Sequence, residues 1–165
     1  MTAQIPEKLR LNGATLALCT EPLADYFAAI ELPPGFAVNC TALRRGYIGT
    51  WEIRDARLFL IDIKGDYPDG TPASMERLFP SQPQRVFARW FTGTLRCPRG
   101  GQLEYIHMGY ASIFEEDLLL HIEQGNLTGR EVRVNGAAEA GARQGYRPAA
   151  FTTFPRNRKS DESNP

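Results

Sequence analysis

Lysine is nearly missing from this chain: Lys8, Lys64 and Lys159 are its only three, and arginine supplies the remaining basic side chains. Net charge is missing too, since Lys+Arg and Asp+Glu both number 19 in 165 residues. The balance holds by halves, with eight basic and ten acidic side chains in residues 1–82 and eleven and nine in residues 83–165. Such a chain has no overall field to draw in nucleic acid or an anionic membrane, so neither is expected as a partner. No stretch approaches the roughly 18 apolar residues of a membrane span, and Met1 to Arg10 lacks the apolar core of an export leader. The expectation is a soluble protein that stays in the cytoplasm. Cysteine is sparse and odd in number. Cys19, Cys40 and Cys97 are widely spaced without a CxxC pair, which indicates neither a disulfide framework nor a zinc ribbon, and buried free thiols are expected. The only histidines, His107 and His121, have neither HxH nor HxxxH spacing. Glu115-Glu116-Asp117 would point alternately to opposite faces of a strand, so no metal site is indicated, and no motif implies a cofactor.

What is present is a degenerate repeat. Gly49-Thr50-Trp51-Glu52-Ile53 followed by Leu58-Phe59-Leu60-Ile61-Asp62-Ile63 returns as Gly93-Thr94-Leu95-Arg96-Cys97 followed by Leu103-Glu104-Tyr105-Ile106-His107-Met108. The pattern predicts two copies of one strand-turn-strand unit. Further strands are expected at Phe36 to Thr41 and around the turn dipeptides Asn12-Gly13 and Gly125-Asn126. Leu23 to Ile30 suits a short helix stopped by Pro33-Pro34-Gly35, and Ser74 suits the cap of another over Met75 to Phe79. With 42% hydrophobic content the chain can build one real core. The fold class expected is therefore mainly β: an antiparallel curled sheet or small β-barrel built from repeated hairpins, with one or two short helices. The single domain should cover residues 1–134. Residues 135–165 turn to Ala, Gly, Arg, Pro, Ser and Asn and read as a tail, partly or wholly flexible, whose aromatic residues could still dock on the body.

The repeat assigns faces, because side chains two apart on a strand point the same way. Pairing Arg54 with Arg57 sets Gly49, Trp51 and Ile53 beside Leu58, Leu60 and Asp62. The same parity in the second copy sets Gly93, Leu95 and Cys97 beside Leu103, Tyr105 and His107. Asp62 and His107 thus fall at equivalent inward positions, where a carboxylate could orient an imidazole and raise its basicity. Trp51 and Tyr105 would line the same space as ligand contacts. Against this stands the plainer reading that Asp62 ends its strand at the solvent rim and His107 is a hydrogen-bonded edge of the core. No nucleophile stands at a defined spacing, since Ser112 lies outside any GxSxG elbow. Arg44-Arg45 reads as a solvated loop entering a strand.

The run Arg45-Gly46-Tyr47-Ile48-Gly49-Thr50-Trp51-Glu52-Ile53, continuing to Arg57-Leu58-Phe59-Leu60, resembles an R-G-Y-x-x-T-aromatic-E-I pattern of small stand-alone, largely uncharacterised bacterial proteins. The resemblance spans Cys40 to Val132, with Arg44 standing where such proteins usually have an aromatic. It implies an immunity or accessory role beside a toxin or secreted effector, and it carries over no catalytic residue. Three readings follow: a non-enzymatic intracellular protein that binds a protein partner, a small-molecule-binding or isomerase-like barrel using Asp62 and His107, and a structural subunit that assembles through sheet edges. The first requires no catalytic set and leads.

Overall fold

The computed structural model describes residues 2–146. Eight strands form one mixed sheet that curls without closing. Its path runs β2 (Ala14–Leu18), β1 (Glu7–Leu11), β3 (Tyr47–Arg54), β4 (Arg57–Gly65), β8 (Asn126–Val134), β7 (Ile113–Glu123) and β6 (Gly93–Glu104), with the short β5 (Val86–Phe87) laid on β4. The mainly β expectation holds, with two short helices, α1 (Pro22–Ala29) and α2 (Met75–Leu78). One pair departs from antiparallel order, because β1 runs parallel to β3 with Leu9 beside Trp51.

Local turn chemistry explains three hairpins. Asn12-Gly13, Asp55-Ala56 and Gln124-Gly125 all hold positive φ at both residues, the conformation whose twist matches that of paired strands. The last of these lies one residue before the expected Gly125-Asn126. Gly125 has no freedom to change, since a Cβ there would sit 2.7 Å from the Phe87 ring. Two hairpin ends meet at this point: Arg57 pairs with Asn126, Leu58 N donates to Gly125 O and Leu127 N to Ala56 O. Beyond Asn126 the two halves of the sheet diverge, because β5 takes the adjoining edge of β4 at Phe59 and Leu60. On the far side the roll is drawn together where Cys19 N donates to Arg96 O at 2.8 Å.

The inside of the roll is packed. Leu9, Leu18, Trp51, Leu58, Leu60, Leu95, Cys97 and Leu120 are fully buried, and α1 adds Leu23 at the edge of this core. Ser74 caps α2 as its sequence suggests, accepting from Arg77 N.

Four expectations change. Phe36 to Thr41 forms no strand: Ala37 N donates to Asp66 O, but no ladder continues, and Phe36 instead stacks on Tyr67 and packs against Phe27 and Tyr47. The second repeat copy is not a hairpin. Its glycines Gly100 and Gly101 make a bulge in the one long strand β6, which stays paired with β7 on both sides of it. The Glu115 carboxylate holds the bulge by accepting from Gly101 N at 2.6 Å. Of the three thiols, Cys19 and Cys97 are buried but Cys40 is exposed. Finally, the chain does not leave the body at residue 134. Residues 135–146 lie along β6 and β7, with Asn135 N bonded to Glu115 O, Gln102 N to Arg143 O and Gly145 N to Gly100 O. Tyr146 packs on Phe114, and its hydroxyl donates to Gln4 O at 3.0 Å. Phe151, Phe154 and the rest of the expected tail lie outside the described residues. Among the described residues no helix is long and apolar enough to cross a membrane.

Candidate functional site

Asp62 and His107 do not come to equivalent positions. On β4 a bulge inserts one residue between Leu60, which faces Trp51, and Asp62, which faces Thr50. An inserted residue reverses the alternation beyond it, so Ile63 takes the buried position and Asp62 turns to the opposite face, where it is half-buried. His107 lies past the end of β6, exposed in the connection to β7. Its Nδ1 is 2.7 Å from the hydroxyl of Tyr105, itself 45% exposed. No bond or ion pair described here joins His107 to Asp62. Of the expected ligand contacts, Tyr105 is at the surface, while Trp51 is fully buried.

Trp51 leads to a cluster that the sequence did not suggest. Glu7 shares the inward parity of Leu9 on β1, and its side chain is completely buried. Its Oε2 accepts from Trp51 Nε1 at 2.6 Å, its Oε1 from Arg45 Nε at 3.0 Å, and the Gly49 backbone N–H also bonds to the carboxylate. Gly49 is a glycine for want of space: a Cβ there would lie 2.6 Å from Glu7 Oε2 and 2.9 Å from Trp51 Nε1. Arg45 Nη1 donates to Ile5 O at 2.9 Å and to the Tyr110 hydroxyl at 3.0 Å, and that hydroxyl donates to Glu21 Oε1 at 2.7 Å. The guanidinium also lies 5.5 Å from the centre of the Tyr47 ring. Arg45 is thus no solvated entry residue, since only 8% of its side chain is exposed. Its alternation with Tyr47, Gly49 and Trp51 was the available sign.

Burial pushes the Glu7 carboxyl up to about 7, against the pull of Arg45, the Trp51 indole and the Gly49 amide. Burial likewise raises the Tyr47 and Tyr110 phenols. A carboxyl near neutrality is a familiar acid–base tool. Here, though, none of the side chain meets solvent, and every oxygen already has a donor. The cluster clasps β1, the start of β3, α1 and the β6–β7 connection together. Its chemistry is that of a buried ion pair, which holds position only while its partners remain complete.

The exposed counterpart is β8. From Thr128 to Val134 it bonds to β7 along one edge, while its only pairing with β4 is at Asn126. After a bulge at Thr128, Arg130, Val132 and Val134 share the face of Leu120 and Leu118 on β7, yet Val132 is 43% and Val134 71% exposed. Arg130, Glu131 and Arg133 are exposed as well. The strand therefore offers both faces and, among the described residues, an edge without a backbone partner. No family model matches this chain, and comparison with curated proteins and with solved structures finds no match.

Proposed function

We propose that this chain is a non-enzymatic binding protein of the cytoplasm that works by taking up a strand of another polypeptide on the free edge of β8. One observation carries the reading: a strand exposed on both faces and, among the described residues, unpaired along one edge is a template whose backbone groups can bond a second chain. The packed inner wall of the roll and the separation of Asp62 from His107 favour binding over the isomerase-like alternative. The immunity or accessory role that the sequence resemblance implies is one setting for such a surface.

The test is Val132→Pro. Asn135 N bonds to Glu115 O directly across the ladder, and alternation along an antiparallel pair then turns the backbone groups of Arg133 and Glu131 toward β7 and those of Val132 away from it. Proline at Val132 removes an outward N–H and leaves the bonds to β7 in place. The wild type should retain a polypeptide partner in stoichiometric amount, and Val132→Pro should lose it with an unchanged thermal midpoint. Equal retention by both proteins would remove β8 from the interaction and overturn the proposal.

A further inference from the structure

We infer that the strand taken up by β8 is β8 of a second copy of this chain, paired antiparallel about Val132; the inference rests on the binding role just proposed. By the same alternation, the N–H and C=O groups of Arg130, Val132 and Val134 face away from β7. Two copies related by a two-fold axis through the centre of Val132 would match Val132 with Val132, and Arg130 with Val134, as mutually hydrogen-bonded pairs. Each free donor in this stretch then meets a free acceptor.

Charge selects that register. Centring on Val132 places Glu131 of each copy opposite Arg133 of the other, at the non-hydrogen-bonded positions where side chains approach most closely. Centring on Glu131 would oppose glutamate with glutamate. Centring on Arg130 or Arg133 would oppose arginine with arginine, and centring on Val134 would leave Glu131 without a basic residue across from it. Charged side chains on an edge strand commonly discourage pairing. A single sign would do so in every register, whereas Arg130-Glu131-Val132-Arg133-Val134 permits one that is self-complementary. The apolar exposure agrees, since Val132 and Val134, both exposed on β8, would be covered together. The nearest competing contact of Glu131 is His121 Nε2 at 3.5 Å, between two exposed groups, and it leaves the carboxylate accessible.

The experiment is light scattering of the purified full-length chain over a wide concentration range, with Glu131→Arg, Arg133→Glu and the double exchange. The wild type should pass from 18.4 kDa toward twice that mass. Each single change sets like charges opposite each other twice across the axis and should weaken association roughly tenfold. The double exchange restores opposition of unlike charges and should recover most of the loss. Glu131→Arg also removes the His121 contact, but Arg133→Glu does not, so agreement between the two singles ties the effect to the cross-strand pairs. A wild type that stays monomeric throughout would overturn the self-pairing. If Val132→Pro still abolished capture of a different protein, the binding role would survive that failure. Strong hydrogen-exchange protection of Val132 and Val134 in a monomer would show the edge covered by the chain itself and overturn both. Equal dimerisation of all four proteins would overturn this register.

Discussion

Replacing Glu7 by glutamine asks which force governs the buried cluster. In the unfolded chain this carboxyl titrates near 4.5, and burial lifts it to about 7 in the folded protein. Between those values the native state keeps a proton that the unfolded chain has released. Stability drawn from this group is therefore full below 4.5 and is lost as pH rises toward 7. At about 1.4 kcal/mol per pH unit, the whole interval corresponds to roughly 3 kcal/mol. Glu7→Gln has no titration at this position, so subtracting its unfolding free energy cancels the other titrating groups. Urea unfolding from about pH 5 to about pH 8, followed by tryptophan fluorescence and circular dichroism, should show the advantage of wild type over Glu7→Gln shrinking by about 2 to 3 kcal/mol. The variant should be the weaker at acid pH, because its amide nitrogen cannot accept and must face either Arg45 Nε or Trp51 Nε1, donors that both oxygens of the carboxyl group can accept from. An advantage that grows with pH would refute the reasoning. It would mean that Arg45 at 3.0 Å outweighs burial and holds the carboxyl below its ordinary value.

Gly49→Ala should cost about 3 kcal/mol in urea unfolding, because the new methyl meets the carboxylate and the indole inside a packed core. Gly13→Ala, at a positive φ but with open space around it, should cost about 1 kcal/mol; equal losses would show that the carboxylate can yield. A thiol reagent should modify Cys40 quickly in the native protein, while Cys19 and Cys97, buried and pushed up to about 12, should react only on unfolding. Rapid reaction of more than one thiol would show that the roll opens at the Cys19–Arg96 seam.

The β3–β4 hairpin was legible because its information is local: a two-residue turn flanked by Trp51, Leu58 and Leu60 at one parity. Its bulge was not, and that single inserted residue moved Asp62 off the inner face. The repeat misled for a related reason. Gly100-Gly101 can reverse a chain or bulge a strand, and the choice lay with β7, whose Glu115 caps the bulge from outside the repeat. Nothing near Leu9 in sequence announces that it will run beside Trp51.

Charge was the other source of error. Glu7 lies at the parity of Leu9, and Arg45 at that of Trp51, so alternation already placed both side chains inward. Reading Arg45 as solvated followed the usual preference of charged groups for water. What overrides it is a set of partners scattered from Ile5 to Tyr110, each satisfying one donor or acceptor. An inward charge in an otherwise apolar stripe therefore signals a buried partner, although the sequence leaves open which one. The converse holds for β8. Past Thr128, Arg130 precedes Val132 and Val134 on one face while Glu131 and Arg133 occupy the other, and all five are exposed. From Gly129 to Val134 the strand bonds, among the described residues, to β7 alone, which leaves its other edge open to a second strand. In the proposed self-pairing, Glu131 and Arg133 of this stretch supply the matching charges.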